Sequence, residues 1–257
     1  MTMIQADWDA PENIKTLITT RAEGFSRYPY EGFNLALHVG DDPLAVVKNR
    51  RKLRQHLPAE PVWLNQVHGN QVIEAQVNAV NSDADGSYTC TKNAIAIIMT
   101  ADCLPVLICN RQGNAVAAIH AGWRGLLEGI VEQGVEQLVK LSHCQNDDVM
   151  VWLGPAIGPE KFEVGEDVRQ LFLERAKTYP AEMLDKLNQC FTAINNYRQT
   201  DKKYLADIYQ LARIRLSHVG VDNVTGGHYC TYSEQDKFYS YRRDGKTGRM
   251  ASMIWFE

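Results

Sequence analysis

Three segments of the chain carry side chains that suit a catalytic metal ion. His68 and His120 offer imidazole nitrogens and Cys103 offers a thiolate, each where a strand-like run gives way to a loop or turn. A catalytic Zn²⁺ typically takes three protein ligands of this kind and leaves a fourth position for water or substrate. The same donors also suit copper. The residue types therefore predict a metal site at these three positions, with zinc expected and copper as the alternative.

The same segments also suit proton transfer and nucleophilic catalysis. Asp102 directly precedes Cys103 and could orient a ligand histidine or carry a proton. Cys103 could instead be a metal-free nucleophile with His120 as its base. The predicted catalytic residues are therefore Cys103, His120 and Asp102, and whether the cysteine is a ligand or a nucleophile stays open.

Composition argues against several classes of protein. The 257 residues include 27 Lys and Arg against 31 Asp and Glu, a formal net charge of −4, which argues against a basic nucleic-acid surface. The six cysteines form no CxxC pair, so a zinc ribbon or thioredoxin motif is not indicated. No secretory signal is visible at the start, and no apolar run is long enough to cross a membrane. We expect a cytoplasmic protein with reduced thiols and without nucleic-acid or membrane partners; its oligomeric state stays open.

Apolar runs bounded by turn residues predict many short strands. The predicted strands are Ile14–Thr20, Val62–Leu64, Val72–Ala75, Ala94–Met99, Pro105–Cys109, Ala115–Ile119 and Val149–Leu153, with a terminal hairpin formed by Phe238–Arg243 and Arg249–Phe256. These strands come in pairs and triplets between helices, which favours an α/β layered sandwich with mixed sheets over a doubly wound parallel sheet. Because no linker or repeat divides the chain, residues 1–257 are predicted to form a single domain.

Four segments are predicted to be helical. Asp42 is a candidate N-cap with Pro43 at the first helical position. One long helix is predicted from Gly122 to Val139, another near 165–177, and a fourth over Tyr204–Val219. The polar stretch 178–203 gives no clear pattern.

The metal segments and several other motifs resemble one known family. The segments that carry the resemblance are Asn34–Ala36, Asn65–Gly69, Thr100–Val106, Ala118–Gly125, Leu153–Gly158, Cys230–Tyr232 and Tyr239–Asp244. They resemble the bacterial laccase-domain, or polyphenol oxidase-like, family, whose members have also been described as purine nucleoside phosphorylases. The resemblance covers nearly the whole chain and is weakest over 178–203.

This resemblance implies a layered α/β sandwich with zinc at His68, Cys103 and His120. It also implies phosphorolysis of adenosine, inosine, guanosine and methylthioadenosine, with an accompanying adenosine deaminase activity. The expected partners are then small-molecule nucleosides and phosphate.

Two arginines are the predicted phosphate ligands. Arg124 lies in Gly122–Gly125, at the predicted start of a helix, where free N–H groups attract an anion and a guanidinium can add a bidentate contact. Arg242 and Arg243 are adjacent, and neighbours on a strand point to opposite faces. We therefore expect only one of the two, Arg242, to reach the site.

Further side chains are candidates for contact with a nucleoside. Asn34 could bind a ribose hydroxyl or polarise the base, although a turn role fits it equally. Phe33, Trp123 and Tyr241 could stack on a purine, although each could equally belong to the core. Cys230 is interpreted as a buried thiol.

Two other functions compete with the phosphorylase. A copper polyphenol oxidase, which the older family name implies, would need many histidines for a multinuclear centre, yet only seven are present and none is two residues from another. A mononuclear copper site at the same ligands stays possible. A Cys/His amidase-type hydrolase acting on a cell-wall precursor would use Cys103 and His120 without metal.

Overall fold

The structure is a computed structural model and describes residues 2–76, 81–194 and 202–257. The described strands are β1 Met3–Ile4, β2 Ile14–Thr19, β3 Val72–Glu74, β4 Gly86–Thr89, β5 Ala96–Thr100, β6 Leu104–Asn110, β7 Val116–Ala121, β8 Val149–Leu153, β9 Glu163–Gly165, β10 Phe191–Ala193, β11 Lys203–Ala206, β12 Val224–Gly226 and β13 Met250–Phe256. The described α-helices are α1 Pro43–Arg54, α2 Trp123–Leu127, α3 Ile130–Ser142, α4 Glu166–Arg175, α5 Ala181–Gln189, α6 Ile208–His218 and α7 Tyr241–Asp244.

These strands form three sheets. A four-stranded sheet has the order β1-β2-β13-β5, a six-stranded sheet the order β12-β8-β6-β7-β4-β3, and a small sheet the order β10-β11-β9. The six-stranded sheet is mixed, because β12 and β8 pair in parallel, as do β3 and β4, whereas β6 and β7 are antiparallel. Within the described ranges, no helix is long and apolar enough to span a membrane.

The two larger sheets pack face to face. Ile18 of β2 and Ile98 of β5 share a buried cluster with Leu107 of β6 and Trp152 of β8. Side chains alternate across a strand, so the neighbouring residue Val106 faces the other way, into the cluster formed with α2, α3 and α6. Strand β6 is therefore buried on both faces. This explains its continuous apolar sequence.

The outer face of the four-stranded sheet is covered by α1 and the loop before it. Leu17 and Met253 pack there against Phe33, Leu35 and Leu53. The molecule is thus layered as helix, sheet, sheet and helices, which confirms the predicted α/β sandwich with mixed sheets. The organisation of residues 1–257 as one domain stays a prediction.

The start of α1 forms as predicted. Asp42 is the N-cap, and its Oδ1 accepts a hydrogen bond of 2.9 Å from the backbone N–H of Leu44. Pro43 is the first helical residue, where its missing N–H would have had no partner in the helix.

Two predicted helices differ from the structure. The single helix predicted after Gly122 is wrong, because Gly129 adopts φ of +91° and separates α2 from α3. The helix predicted from Tyr204 begins only at Ile208, since Lys203–Ala206 is a strand between β9 and β10, and Asp207 caps the helix.

Two strand predictions are also wrong. The terminal hairpin does not form, because Tyr241–Asp244 is a short helix capped by Ser240, and β13 pairs with β2 and β5. Val62–Leu64 is buried but belongs to no strand. In the unpatterned stretch 178–203 the structure has α5 and β10, and residues 195–201 of that stretch lie outside the described part.

Candidate functional site

A cavity of about 530 Å³ opens where loops from both halves of the chain meet the ends of β6 and β7, the central strands of the six-stranded sheet. His68 lies in the loop before β3, Cys103 in the loop between β5 and β6, and His120 within β7. All three line the cavity. Residues far apart in the sequence are thus brought to one wall.

The three predicted ligands converge. Their nitrogen and sulfur atoms lie within 4.8 Å of one another. Among the described residues, these three form the cluster of His, Cys, Asp or Glu side chains that could hold a metal ion. Cys103 Sγ lies 3.9 Å from His68 Nε2. His120 is buried, Cys103 is half-buried and His68 is exposed. The centre is therefore open to the cavity on the His68 side.

The loop that carries His68 is fixed by backbone contacts. The Gln66 side chain bonds both backbone groups of Met99 at the end of β5, donating from Nε2 over 2.8 Å and accepting at Oε1 over 2.7 Å. His68 itself has a φ of +61°, a left-handed conformation that costs a non-glycine residue about 1–2 kcal/mol. The loop holds this conformation through hydrogen bonds to Asp85.

Asp85 is a buried carboxylate that sequence analysis missed. Its Oδ1 lies 2.7 Å from His120 Nδ1, and its two oxygens accept from the backbone N–H groups of Val67, His68 and Gly69 at 3.2, 3.0 and 2.7 Å. The antiparallel pairing of β4 with β7 places Asp85 opposite His120. The sequence signal was slight, because Asp85 is one of two acids, with Asp83, just before the short strand β4.

The thiol and the buried imidazole shift each other's pKa. Burial raises the pKa of Cys103, but the charge of His120 and hydrogen bonds to both histidines outweigh burial and lower it to about 6. Burial lowers the pKa of His120, but Cys103 and Asp85 outweigh it and raise it to about 9. Without metal the pair is a thiolate and an imidazolium near neutral pH. The deprotonated thiolate is the form that a metal requires.

Asp102 lines the cavity but does not contact a ligand histidine. Its Oδ1 accepts from the Thr231 hydroxyl and its Oδ2 from the backbone N–H of Arg242, both over 2.6 Å. The expectation that Asp102 orients a histidine is therefore wrong, because Asp85 occupies that position. Asp102 instead ties the Arg242 segment to the cavity wall.

The cavity wall is rich in positive charge. Arg124 and Arg242 line it, as predicted, together with Arg249, which sequence analysis missed. Among the described residues lining the cavity, Asp102 is the acid. Each guanidinium lies over an aromatic ring: Arg124 on Trp123 at 4.4 Å, Arg242 on Phe162 at 5.6 Å and Arg249 on Tyr241 at 5.9 Å. The arrangement suits an anionic ligand.

Asn34 does not reach this cavity. It is fully buried; Nδ2 donates to Ala36 and Asp41, and Oδ1 accepts from the backbone N–H groups of Ala36 and Arg249. Because these contacts occupy both ends of the amide, the prediction that Asn34 binds substrate disagrees with its position. The residue positions the backbone of Arg249 instead.

The aromatic candidates divide between cavity and core. Trp123 and Tyr241 line the cavity, whereas Phe33 is fully buried in the cluster under the four-stranded sheet. Cys230 is half-buried rather than buried, and its sulfur accepts from the backbone N–H of Gly158 over 3.3 Å. Two of the three rings are thus available to a ligand.

Comparisons with known proteins place the sequence and the fold in one family. A family model described as multi-copper polyphenol oxidoreductase laccase matches residues 15–257. Relatives named purine nucleoside phosphorylase are 45% identical in Pseudomonas aeruginosa, covering 98% of this chain and 97% of the relative, and 45% identical in Escherichia coli, covering 98% of each. A Neisseria meningitidis crystal structure matches with a TM-score of 0.89, 44% identity and full coverage of both chains.

These matches define the class of protein. The chain belongs to the multi-copper polyphenol oxidoreductase laccase family. A Bacillus licheniformis structure shares the fold at 27% identity, with a TM-score of 0.83 over 95% of this chain and 93% of that one. The resemblance predicted from the short motifs is therefore confirmed.

Proposed function

We propose that the protein is a metal-dependent purine nucleoside phosphorylase. The observation that carries the proposal is the convergence of His68, Cys103 and His120 in a cavity lined by three arginines. The curated relatives quoted above bear the name purine nucleoside phosphorylase. Small-molecule nucleosides and phosphate are the proposed substrates: adenosine, inosine, guanosine and methylthioadenosine. A cytoplasmic location stays a prediction.

Zinc is the proposed ion at the His68, Cys103 and His120 centre. The donor set fits it, because one thiolate and two imidazoles leave an open coordination position. Copper at the same ligands is the alternative. When bound, such an ion supplies a Lewis acid that stabilises negative charge on an oxygen atom.

The chain's own residues would bind and orient the two substrates. Arg124, Arg242 and Arg249 would hold phosphate through charge-assisted hydrogen bonds, and Trp123 and Tyr241 would stack on the purine. The C1′–N9 bond of the nucleoside breaks, a phosphate oxygen bonds to C1′, and the base leaves with a proton on its ring. We assign Asp102 to hold that proton or a ribose hydroxyl.

Adenosine deaminase activity is proposed at the same cavity. In that reaction the C6–N bond of adenine breaks, a C6–O bond to a water oxygen forms, and ammonia leaves. Stacking on Trp123 or Tyr241 would present the purine for either reaction.

A thiol hydrolase is the second candidate. The lowered pKa of Cys103 and the raised pKa of His120 favour a nucleophilic thiolate that attacks an amide carbonyl, with the imidazolium protonating the departing amine. Water then cleaves the thioester, which releases the carboxylic acid and restores the Cys103 thiol. Its proposed substrate is an amide of a cell-wall precursor. Because this route needs no metal, a chelator should abolish the phosphorylase activity and leave the thiol hydrolase activity unchanged.

One assay separates these proposals. Bound metal is measured by mass spectrometry, and free base and ribose 1-phosphate are followed from inosine with and without phosphate. Base release should require phosphate, should be lost in Cys103→Ala, and should persist in Cys230→Ala, a matched thiol that does not line the cavity. Base release that ignores phosphate would exclude phosphorolysis. Covalent trapping at Cys103 in active, metal-free protein would select the thiol hydrolase.

A further inference from the structure

We propose that Asp85 is a positioning residue that selects the metal-binding nitrogen of His120 and holds the His68 loop ready for the ion. The proposal rests on the metal-binding part of the proposed function and not on the reaction. It is carried by the four hydrogen bonds that this one fully buried carboxylate accepts.

The contact with His120 fixes the position of the imidazole proton. An ionised carboxylate can only accept hydrogen bonds, so the 2.7 Å contact from Asp85 Oδ1 to His120 Nδ1 requires a proton on Nδ1. In the neutral ring the lone pair is then on Nε2, the nitrogen left for a ligand. Asp85 thus sets the tautomer that a metal ion needs.

The contacts with the loop fix the other histidine. Three consecutive N–H groups, from Val67, His68 and Gly69, point at the Asp85 carboxylate. His68 is exposed and its backbone is left-handed, so burial does little to hold it. The hydrogen bonds to Asp85 offset the conformational cost and keep the imidazole beside Cys103.

An isosteric amide cannot replace this carboxylate. In Asp85→Asn, an NH₂ group facing His120 needs a lone pair on Nδ1 and so moves the ring proton to Nε2. If the amide oxygen faces His120 instead, the NH₂ group faces the backbone N–H donors of the loop. Two donors cannot form a hydrogen bond, so the loop loses these contacts. In both orientations one ligand is lost or displaced, although the side-chain volume is unchanged.

The test is zinc affinity, measured by competition with a chromophoric chelator on the full-length protein. Asp85→Asn should bind Zn²⁺ about 10–100-fold more weakly, the usual cost of removing such a partner. Asp83→Asn is the matched control, because Asp83 lies two residues earlier, is exposed, and accepts a hydrogen bond from Asn65 Nδ2. The zinc affinity of this variant should equal that of the wild type. Wild-type affinity in a folded Asp85→Asn variant, or no zinc binding by the wild type, would overturn the proposal.

A measurement on the wild type covers the case in which Asp85→Asn does not fold. In the zinc-loaded protein, ¹⁵N–¹H correlation spectra should show His120 protonated at Nδ1 and ligated through Nε2. Ligation through Nδ1 would contradict the assignment. Neither measurement uses turnover, so failure of phosphorolysis leaves both results interpretable.

Discussion

At the scale of residues, side-chain chemistry was enough to predict the metal ligands, whereas the residues that hold those ligands in place became visible only in the structure. His68, Cys103 and His120 stood out because thiolate and imidazole are metal donors, wherever they lie in the chain. Asp85 and Arg249 were missed because their roles depend on cross-strand register and loop contacts that no local pattern encodes. Asn34 has a side chain that could bind a nucleoside, but its amide group makes its hydrogen bonds inside the fold.

Cys103 should react as a thiolate in metal-free protein. Because its pKa is lowered to about 6, alkylation by iodoacetamide should rise through pH 6 and level off above pH 7. Cys90 is the control: it is exposed, partial desolvation and the charge of Glu74 raise its pKa, and it should react only at higher pH. Peptide mass spectrometry across pH measures both rates. Zinc should protect Cys103, and a Cys103 rate that follows that of Cys90 would contradict the assigned pairing with His120.

Arg249 should contribute to phosphate binding. Its side chain lines the same cavity as Cys103 and Asp102. Burial lowers its pKa, and the nearby negative charges of Cys103 and Asp102 oppose that shift. Arg249→Met should raise KM for phosphate roughly 10–100-fold, as expected for one charge-assisted hydrogen bond. Bound zinc should be unchanged. Arg111→Met, at the exposed turn between β6 and β7, should leave KM unaltered; an equal rise in both variants would argue against a local contact.

At the scale of elements, strands buried on both faces were predictable and pairing partners were not. Apolar runs located β5, β6 and β7 because each lies between two layers. The terminal hairpin failed because β13 finds partners distant in sequence. The prediction of one long helix was wrong because the helical spacing of apolar residues continues across Gly129, whereas the helical backbone is interrupted there.

Two glycines near α2 should have separable roles. A Cβ at Gly122 would lie 3.1 Å from His68 Cδ2 and 3.2 Å from Cys103 Sγ, so Gly122→Ala should displace both ligands and weaken zinc binding. At Gly129 the φ of +91° is the obstacle, so Gly129→Ala should cost about 1–2 kcal/mol of stability without changing zinc affinity. Denaturant unfolding and chelator competition measure the two quantities. Equal zinc affinity in both variants would show that Gly122 is not constrained by the ligands.

At the scale of the whole molecule, the layers hold the site through long-range contacts. The two packed sheets place β5 of one sheet against β6 and β7 of the other. Met99, the partner of Gln66, lies near the end of β5, and Cys103 lies in the loop that leads from β5 to β6. The layered architecture was predictable from the grouping of strands. The set of residues that line the cavity was not predictable, because α7 and the segment around Arg249 come from the C-terminal end of the chain.

Metal binding should therefore stabilise the whole fold. An ion that binds only the native state at 100 times its Kd adds about 2.7 kcal/mol, which for a chain of this size raises Tm by roughly 5–10 °C. Zinc added to chelator-treated protein should produce this rise in scanning calorimetry. Cys103→Ala should show none, and an equal rise in that variant would place the ion elsewhere.

The proposed phosphorylase transfers a ribose unit from a purine nucleoside to phosphate at the His68, Cys103 and His120 centre. The most direct measurement follows the oxygen atoms: inosine is incubated with the zinc-loaded protein and phosphate carrying four ¹⁸O atoms. We predict ribose 1-phosphate that retains all four labels, formed in equal amount with hypoxanthine. Free ribose carrying an oxygen from water, with the labelled phosphate unconsumed, would contradict phosphorolysis.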